Sequence, residues 1–145
     1  MAGAWARADV PFDQSATGEN VNGATIVAVT VICFGILLLT ELTSNTATAA
    51  AFLPIAGSIA LSMGQNPLLF LVPVALAANC SYMLPVGTPP NAIVFGSGLV
   101  RLPDMAKAGM LMNLLLVPIL VGLVWLLGPY VFGIEVGVLP DWARK

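Results

Sequence analysis

The chain has 145 residues, of which 59% are hydrophobic and 8% charged, with a formal net charge of -2. That is a membrane composition, and with no Lys or Arg cluster to meet phosphates it excludes nucleic-acid binding and a polybasic strip for lipid headgroups. Histidine is absent, and Cys33 and Cys80 both lie in apolar runs, so a zinc or redox-metal site is not expected and both thiols read as packing residues.

Residues 1–23 form a polar lead-in carrying Arg7, Asp9, Asp13 and Glu19, without the apolar core of a signal peptide. From Val21 to Val100 the only charged residue is Glu41, and a soluble domain of this size has too much surface to bury such a run. The apolar segment ATIVAVTVICFGILLL (24–39) leads into TELTSNTATAAAFLP (40–54), and the helical pattern continues to Met63. GQNP (64–67) is a turn signal, and Pro67 suits the first turn of the next helix. LLFLVPVALAANCSYML (68–84) reaches PVGTPPN (85–91), then the short apolar AIVFGSGLV (92–100) and a loop, RLPDMAK (101–107). AGMLMNLLLVPILVGLVWLLG (108–128) is the clearest spanning helix, since its length crosses a hydrocarbon core of about 30 Å at about 1.5 Å per residue. Trp125, Tyr130 and Trp142 fit an aromatic interfacial belt, while Arg101 and Lys107 point to the cytoplasmic side, a bias that Arg144 and Lys145 blunt.

The two polar interruptions carry the functional information. Backbone in hydrocarbon must satisfy its own polar groups, so a non-helical stretch at membrane depth has to line protein or a hydrated cavity. In PVGTPPN the sequence predicts a helix up to Gly87, Thr88 as the N-cap of a new helix, and Pro89 and Pro90 in its first turn. Ser44, Asn45 and Thr46 are cap-type residues before the alanine-rich helix start ATAAAF. Two helix N-termini would then offer amides to an anion, and carbonyls at 40–43 and at Gly87 are the oxygen ligands that a hard cation such as sodium takes. Two helix ends supply about +1 together, short of a dianion, so a cation taken up with the anion closes the gap. Three plainer readings stay open at this point: small residues as helix-packing contacts, a fully spanning first segment that leaves SNT in a surface loop, and a simple kink at Pro89-Pro90. Glu41, an ionisable group in such a stretch, is a functional candidate, read as a hydrogen-bonded scaffold residue in preference to a proton-coupling group.

At these residues the chain resembles the divalent anion/sodium symporter family, the transporters of dicarboxylates, citrate and sulfate. TELTSNTATAA is similar to that family's second Ser-Asn-Thr signature, and MLPVGTPPNAIVFGSG to its proline-containing unwound loop. The resemblance covers residues 24–128 and implies an all-α polytopic membrane protein with a re-entrant helical hairpin (24–63), a discontinuous transmembrane helix (67–100) and a spanning helix (107–128), then a tail (129–145). It implies that Thr40, Thr43, Asn45 and Gly87 correspond to a sodium site, Thr43 through its carbonyl. Ser44, Asn45, Thr46, Thr88 and Pro89 would line the carboxylate site.

Only one SNT and one proline loop occur, so the resemblance is to the C-terminal repeat of a transporter whose N-terminal repeat is missing. The expectation is sodium-coupled symport of a divalent anion, a dicarboxylate, with sodium as the coupling ion. It places the chain in the cell membrane among lipid, as a homodimer by resemblance, without nucleic acid and without enzymatic chemistry. A truncated non-transporting remnant or subunit, and a proton-coupled or arsenite-type carrier on a similar scaffold, are the alternatives.

Overall fold

The computed structural model describes residues 14–134, 138 and 140–143. Its helices are α1 (Gln14–Thr40), α2 (Asn45–Ser62), α3 (Leu68–Ala77), α4 (Pro89–Gly96) and α5 (Leu102–Phe132), followed by a 3-10 turn at Asp141–Ala143. There is no strand among the described residues, so the fold is all-α. Among the described residues three segments are long and apolar enough to cross a membrane: Asn22–Thr40, Asn45–Ser62 and Leu102–Phe132.

A short apolar helix, the ten-residue α3, is the centre of the fold. α3 packs against α1, α2 and α5, and it buries Leu69, Phe70, Pro73, Val74 and Ala77. These positions recur at intervals of about four residues, which lines them along one face. α1 brings Val29, Cys33, Ile36 and Leu37 to that core, and α5 brings Val117, Leu120, Val121 and Val124. Cys33 is therefore a packing residue in the core. On α2 the buried positions are Thr48, Ala56 and Ala60. The spacing of Ala56 and Ala60 is the small-residue pattern that lets helices approach in a membrane, where close packing replaces the hydrophobic effect as the driving force. Away from these contacts the chain is apolar outward, with Leu114, Leu115, Ile119 and Leu126 exposed along α5, as lipid contact requires.

Element boundaries differ from the sequence expectation in four places. α1 begins at Gln14, so its backbone turns run through much of the segment read as a polar lead-in; residues 1–13 of that lead-in lie outside the described residues. α3 stops at Ala77 instead of reaching Gly87: the amides of Ala78, Asn79 and Cys80 close the last turn on carbonyls of α3, and those of Tyr82, Met83 and Leu84 go to the Glu41 carboxylate. α5 begins at Leu102, which absorbs most of the expected 101–107 loop. Pro103 in its first turn costs no hydrogen bond, and Asp104 faces the favourable helix end while pairing with the Arg101 guanidinium at 2.7 Å. Finally, α5 runs to Phe132, past the expected boundary at 128. Of the aromatic belt, Tyr130 and Trp142 are exposed, whereas Trp125 is half-buried against the core; Arg144 and Lys145 lie outside the described residues.

Candidate functional site

Helix α1 ends at Thr40 and α2 begins at Asn45, and the four-residue connection between them, with the helix ends that flank it, holds the first group of candidate residues. Leu42 N–H bonds back to Leu39 O at 3.1 Å and the Thr43 hydroxyl donates to the same carbonyl at 2.9 Å, closing the turn. Thr43 Oγ1 also lies 2.6 Å from Thr48 Oγ1, so the Thr43 side chain is occupied and its carbonyl is what remains for a ligand. Ser44 is the N-cap of α2 in extended conformation (φ -66, ψ 129), yet its side chain makes no cap hydrogen bond. A cap residue of this type ordinarily satisfies one of the free amides at a helix start. Here Ser44 is exposed and its hydroxyl leaves the first amides of α2 uncapped. Thr46 beside them is exposed.

Thr40, the last residue of α1, is fully buried. Its Oγ1 lies 2.6 Å from Asn45 Oδ1 and 2.9 Å from the carbonyl oxygen of Ala78. A hydroxyl carries one proton, so it serves one of these acceptors at a time unless the Asn45 amide turns its NH2 group inward. Three neutral oxygens from three parts of the chain thus converge at the junction of the two interruptions. Such a set suits a hard monovalent cation better than a soft or redox metal.

The second interruption spans residues 78–88, between α3 and α4. What holds it open is Glu41. The carboxylate is 3% exposed. Its Oε1 accepts from the backbone N–H of Tyr82 at 2.8 Å and of Met83 at 3.0 Å, and from Asn113 Nδ2 at 3.3 Å. Its Oε2 accepts from Ser81 Oγ at 2.9 Å, from Met83 N–H at 3.0 Å and from Leu84 N–H at 3.1 Å. Successive amides pointed at one anion form a cradle that a helix would otherwise consume. A charge at the carbonyl end of a helix is unfavourable by itself, and these donors, not a cation, are what stabilise it: the ion pair among the described residues is Arg101 with Asp104, on the surface. Both carboxylate oxygens are filled with donors, which makes Glu41 a brace between the turn after α1 and the second interruption.

The rest of the interruption is equally constrained. Asn91 Nδ2 donates to Ser81 O at 2.9 Å and to Leu84 O at 3.1 Å. Gly87 sits so close to Ser81 that a Cβ there would collide with the Ser81 hydroxyl. Thr88 is extended (φ -147) and its Oγ1 accepts from Asn91 N–H at 3.4 Å, capping α4, with Pro89 and Pro90 in the first turn. Pro89 is exposed. Behind the interruption stands α5. A Cβ at Gly109 would lie 2.6 Å from Met83 Cα and from Tyr82 O, so this glycine lets the extended segment rest directly on the helix.

Of the residues singled out from the sequence, the fold brings Thr40 and Asn45 into contact. It places Thr43 and Ser44 on the same turn and Gly87 and Thr88 at the far end of the second interruption. Ala78, Ser81, Asn91 and Asn113 complete the arrangement and were not singled out. A backbone carbonyl such as that of Ala78 leaves no trace in sequence. Asn113, by contrast, is the lone side-chain amide in the apolar run 108–128 and was visible there.

The family model described as "Sodium:sulfate symporter transmembrane region" matches residues 13–134. A protein of Staphylococcus saprophyticus named sodium-dependent dicarboxylate transporter SdcS is 52% identical over 111 residues, which is 77% of this chain and 21% of that protein. The protein of the same name from Staphylococcus aureus is 50% identical over 97 residues, 67% of this chain and 19% of its own length. The chain therefore spans about a fifth of the length of the curated relatives it matches.

Proposed function

Because the chain belongs to the sodium:sulfate symporter transmembrane family, we propose that it supplies one half of the binding site of a sodium-coupled divalent-anion symporter, with a dicarboxylate as substrate. The relatives named sodium-dependent dicarboxylate transporter support that choice of ion and anion. In this reading α1 and α2 form a re-entrant hairpin with Ser44, Asn45 and Thr46 at its tip, and α3 and α4 are the halves of a broken helix. Such a pair meets near the middle of the bilayer. The hairpin then occupies 24–63 and the broken helix 67–100, and the spanning helix expected at 107–128 is α5, which extends beyond those limits to Leu102–Phe132.

Sodium is held by Thr40 Oγ1, Asn45 Oδ1 and the carbonyls of Thr43 and Gly87, with the Ala78 carbonyl as a further oxygen. The carboxylate of the substrate meets Ser44, Asn45, Thr46, Thr88 and Pro89, where α2 and α4 begin. The helix ends bring about +1 together and each sodium ion adds a full charge, so anion and cation lower the cost of burying one another. No bond is made or broken. The protein acts in the plasma membrane, completed by an inverted N-terminal repeat and paired as a homodimer, and transport consists of one bundle rocking against the other around the site.

The observation that carries this reading is the meeting of Thr40 Oγ1, Asn45 Oδ1 and the Ala78 carbonyl within hydrogen-bond distance. Glu41 takes no part in proton coupling, because its oxygens are already filled by donors. Sodium binding is tested by melting the purified chain in detergent across a sodium series against choline. Transport is tested by joining the chain to the N-terminal repeat of a relative and measuring succinate uptake into liposomes. Uptake that needs an inward sodium gradient supports the proposal; uptake driven by a proton gradient without sodium refutes it.

A further inference from the structure

Asn113 lies inside α5, fully buried, in a run that is otherwise apolar. Its Nδ2 donates to Glu41 Oε1 at 3.3 Å, and its Oδ1 is buried without a hydrogen-bond partner. An unpaired buried acceptor is destabilising, and orphaned polar atoms in a folded protein call for an explanation beyond packing. Leucine would fill the position at similar size and leave nothing unpaired, so space-filling does not account for an amide here.

The position explains it. Gly109 is one helical turn earlier on the same face of α5, since residues four apart are stacked, and it is the point where the backbone of Tyr82 and Met83 rests on the helix. Asn113 is the next contact on that face and reaches the carboxylate that takes the amides of those same residues. Glu41 directly follows Thr40, whose hydroxyl is one of the three converging oxygens. A chain of direct contacts therefore runs from α5 through Asn113 and Glu41 to the end of α1 on one side and to residues 81–84 on the other.

We infer that Asn113 is a positioning residue for the sodium site: it orients the Glu41 carboxylate and so sets the spacing between the Thr40–Asn45 turn and the Ala78–Gly87 interruption. The inference rests on the sodium-coupled reading above. Without the amide donor, Glu41 keeps its backbone partners and the fold stands, but the carboxylate and the adjoining Thr40 hydroxyl are free to shift against the other oxygens. The ion then meets a less well preformed cage.

The test uses the whole chain with sodium ion as the probe. Wild type, Asn113→Leu and Asn113→Asp are purified in detergent and melted across a sodium chloride series with choline chloride holding ionic strength constant. Asn113→Leu is expected to melt close to wild type without sodium. The sodium concentration giving half of its stabilisation should rise about fivefold to tenfold, which corresponds to about 1 to 1.4 kcal/mol of lost preorganisation of the oxygens. Asn113→Asp keeps the size but turns a donor into an acceptor facing Glu41, and is expected to raise that concentration further. A space-filling role predicts the opposite pattern: a shift in sodium-free melting with the half-saturating sodium unchanged, or full tolerance of the aspartate. Either result overturns the inference while leaving the sodium reading intact. If wild type itself shows no sodium response, the sodium reading fails and the inference falls with it.

Discussion

Replacing Glu41 with glutamine keeps the shape of the side chain and removes its charge, and the structure specifies the loss. With the new NH2 group at the Oε2 position, the Leu84 N–H at 3.1 Å faces another donor, while the Ser81 hydroxyl can turn to accept. With NH2 at the Oε1 position, Asn113 can turn its unpaired Oδ1 to meet it, and the Tyr82 N–H at 2.8 Å is the one stranded. Either way one backbone amide is orphaned, at a cost of about 1 to 3 kcal/mol, and the remaining bonds fall from charge-assisted to neutral, at about 1 kcal/mol each. Part of this is offset because a buried charge is gone. The net loss is on the order of 3 kcal/mol, or a melting temperature lower by roughly 10 °C for a chain of this length. Melting of Glu41→Gln in detergent measures it, and uptake at several pH values in the completed transporter gives the second readout. The expected result is lower stability and weaker uptake with the pH profile unchanged in shape. Melting within a degree or two of wild type, or a pH dependence abolished by the substitution, would refute the brace.

Two further substitutions separate scaffold from site. Gly109→Ala puts a methyl 2.6 Å from the backbone of Tyr82 and Met83, where no flexible side chain can yield, so it should destabilise by about 1 to 3 kcal/mol and weaken sodium stabilisation; chemical denaturation and the sodium melting series check both. Ser44→Ala should cost less than the roughly 1 kcal/mol of an ordinary cap, because the Ser44 side chain makes no cap hydrogen bond. Its effect should fall on the anion: extra stabilisation by succinate in the presence of sodium is reduced, and an unchanged succinate response would remove Ser44 from the carboxylate site.

Sequence patterns reached the two interruptions but not the lengths around them. The start of α4 was legible because its determinants are local: Thr88 caps, and Pro89 and Pro90 begin the helix. The end of α3 was not, because ALAANCSYML remains a plausible apolar helix until a carboxylate from a distant part of the chain claims the amides of Tyr82, Met83 and Leu84. That is a tertiary override of local preference. The scaffold reading of Glu41 followed from its position at a helix carbonyl end, yet the identity of its donors needed the fold. At the start of α5, Leu102-Pro103-Asp104 has the chemistry of a first helical turn, and reading it as loop gave too much weight to its charges. Asn113 was visible as a lone amide in an apolar run, but its partner was not.

The central claim is that oxygens at the two interruptions hold sodium, and the most direct measurement is a sodium titration of melting temperature for wild type beside Thr40→Val. This substitution keeps the branched shape and removes the hydroxyl that lies between Asn45 Oδ1 and the Ala78 carbonyl. A ligand that binds only the folded state stabilises it in proportion to occupancy. Wild type should therefore melt at progressively higher temperature with sodium but not with choline, and Thr40→Val should lose most of that response. Equal behaviour of the two proteins, or no response to sodium in wild type, would contradict the account.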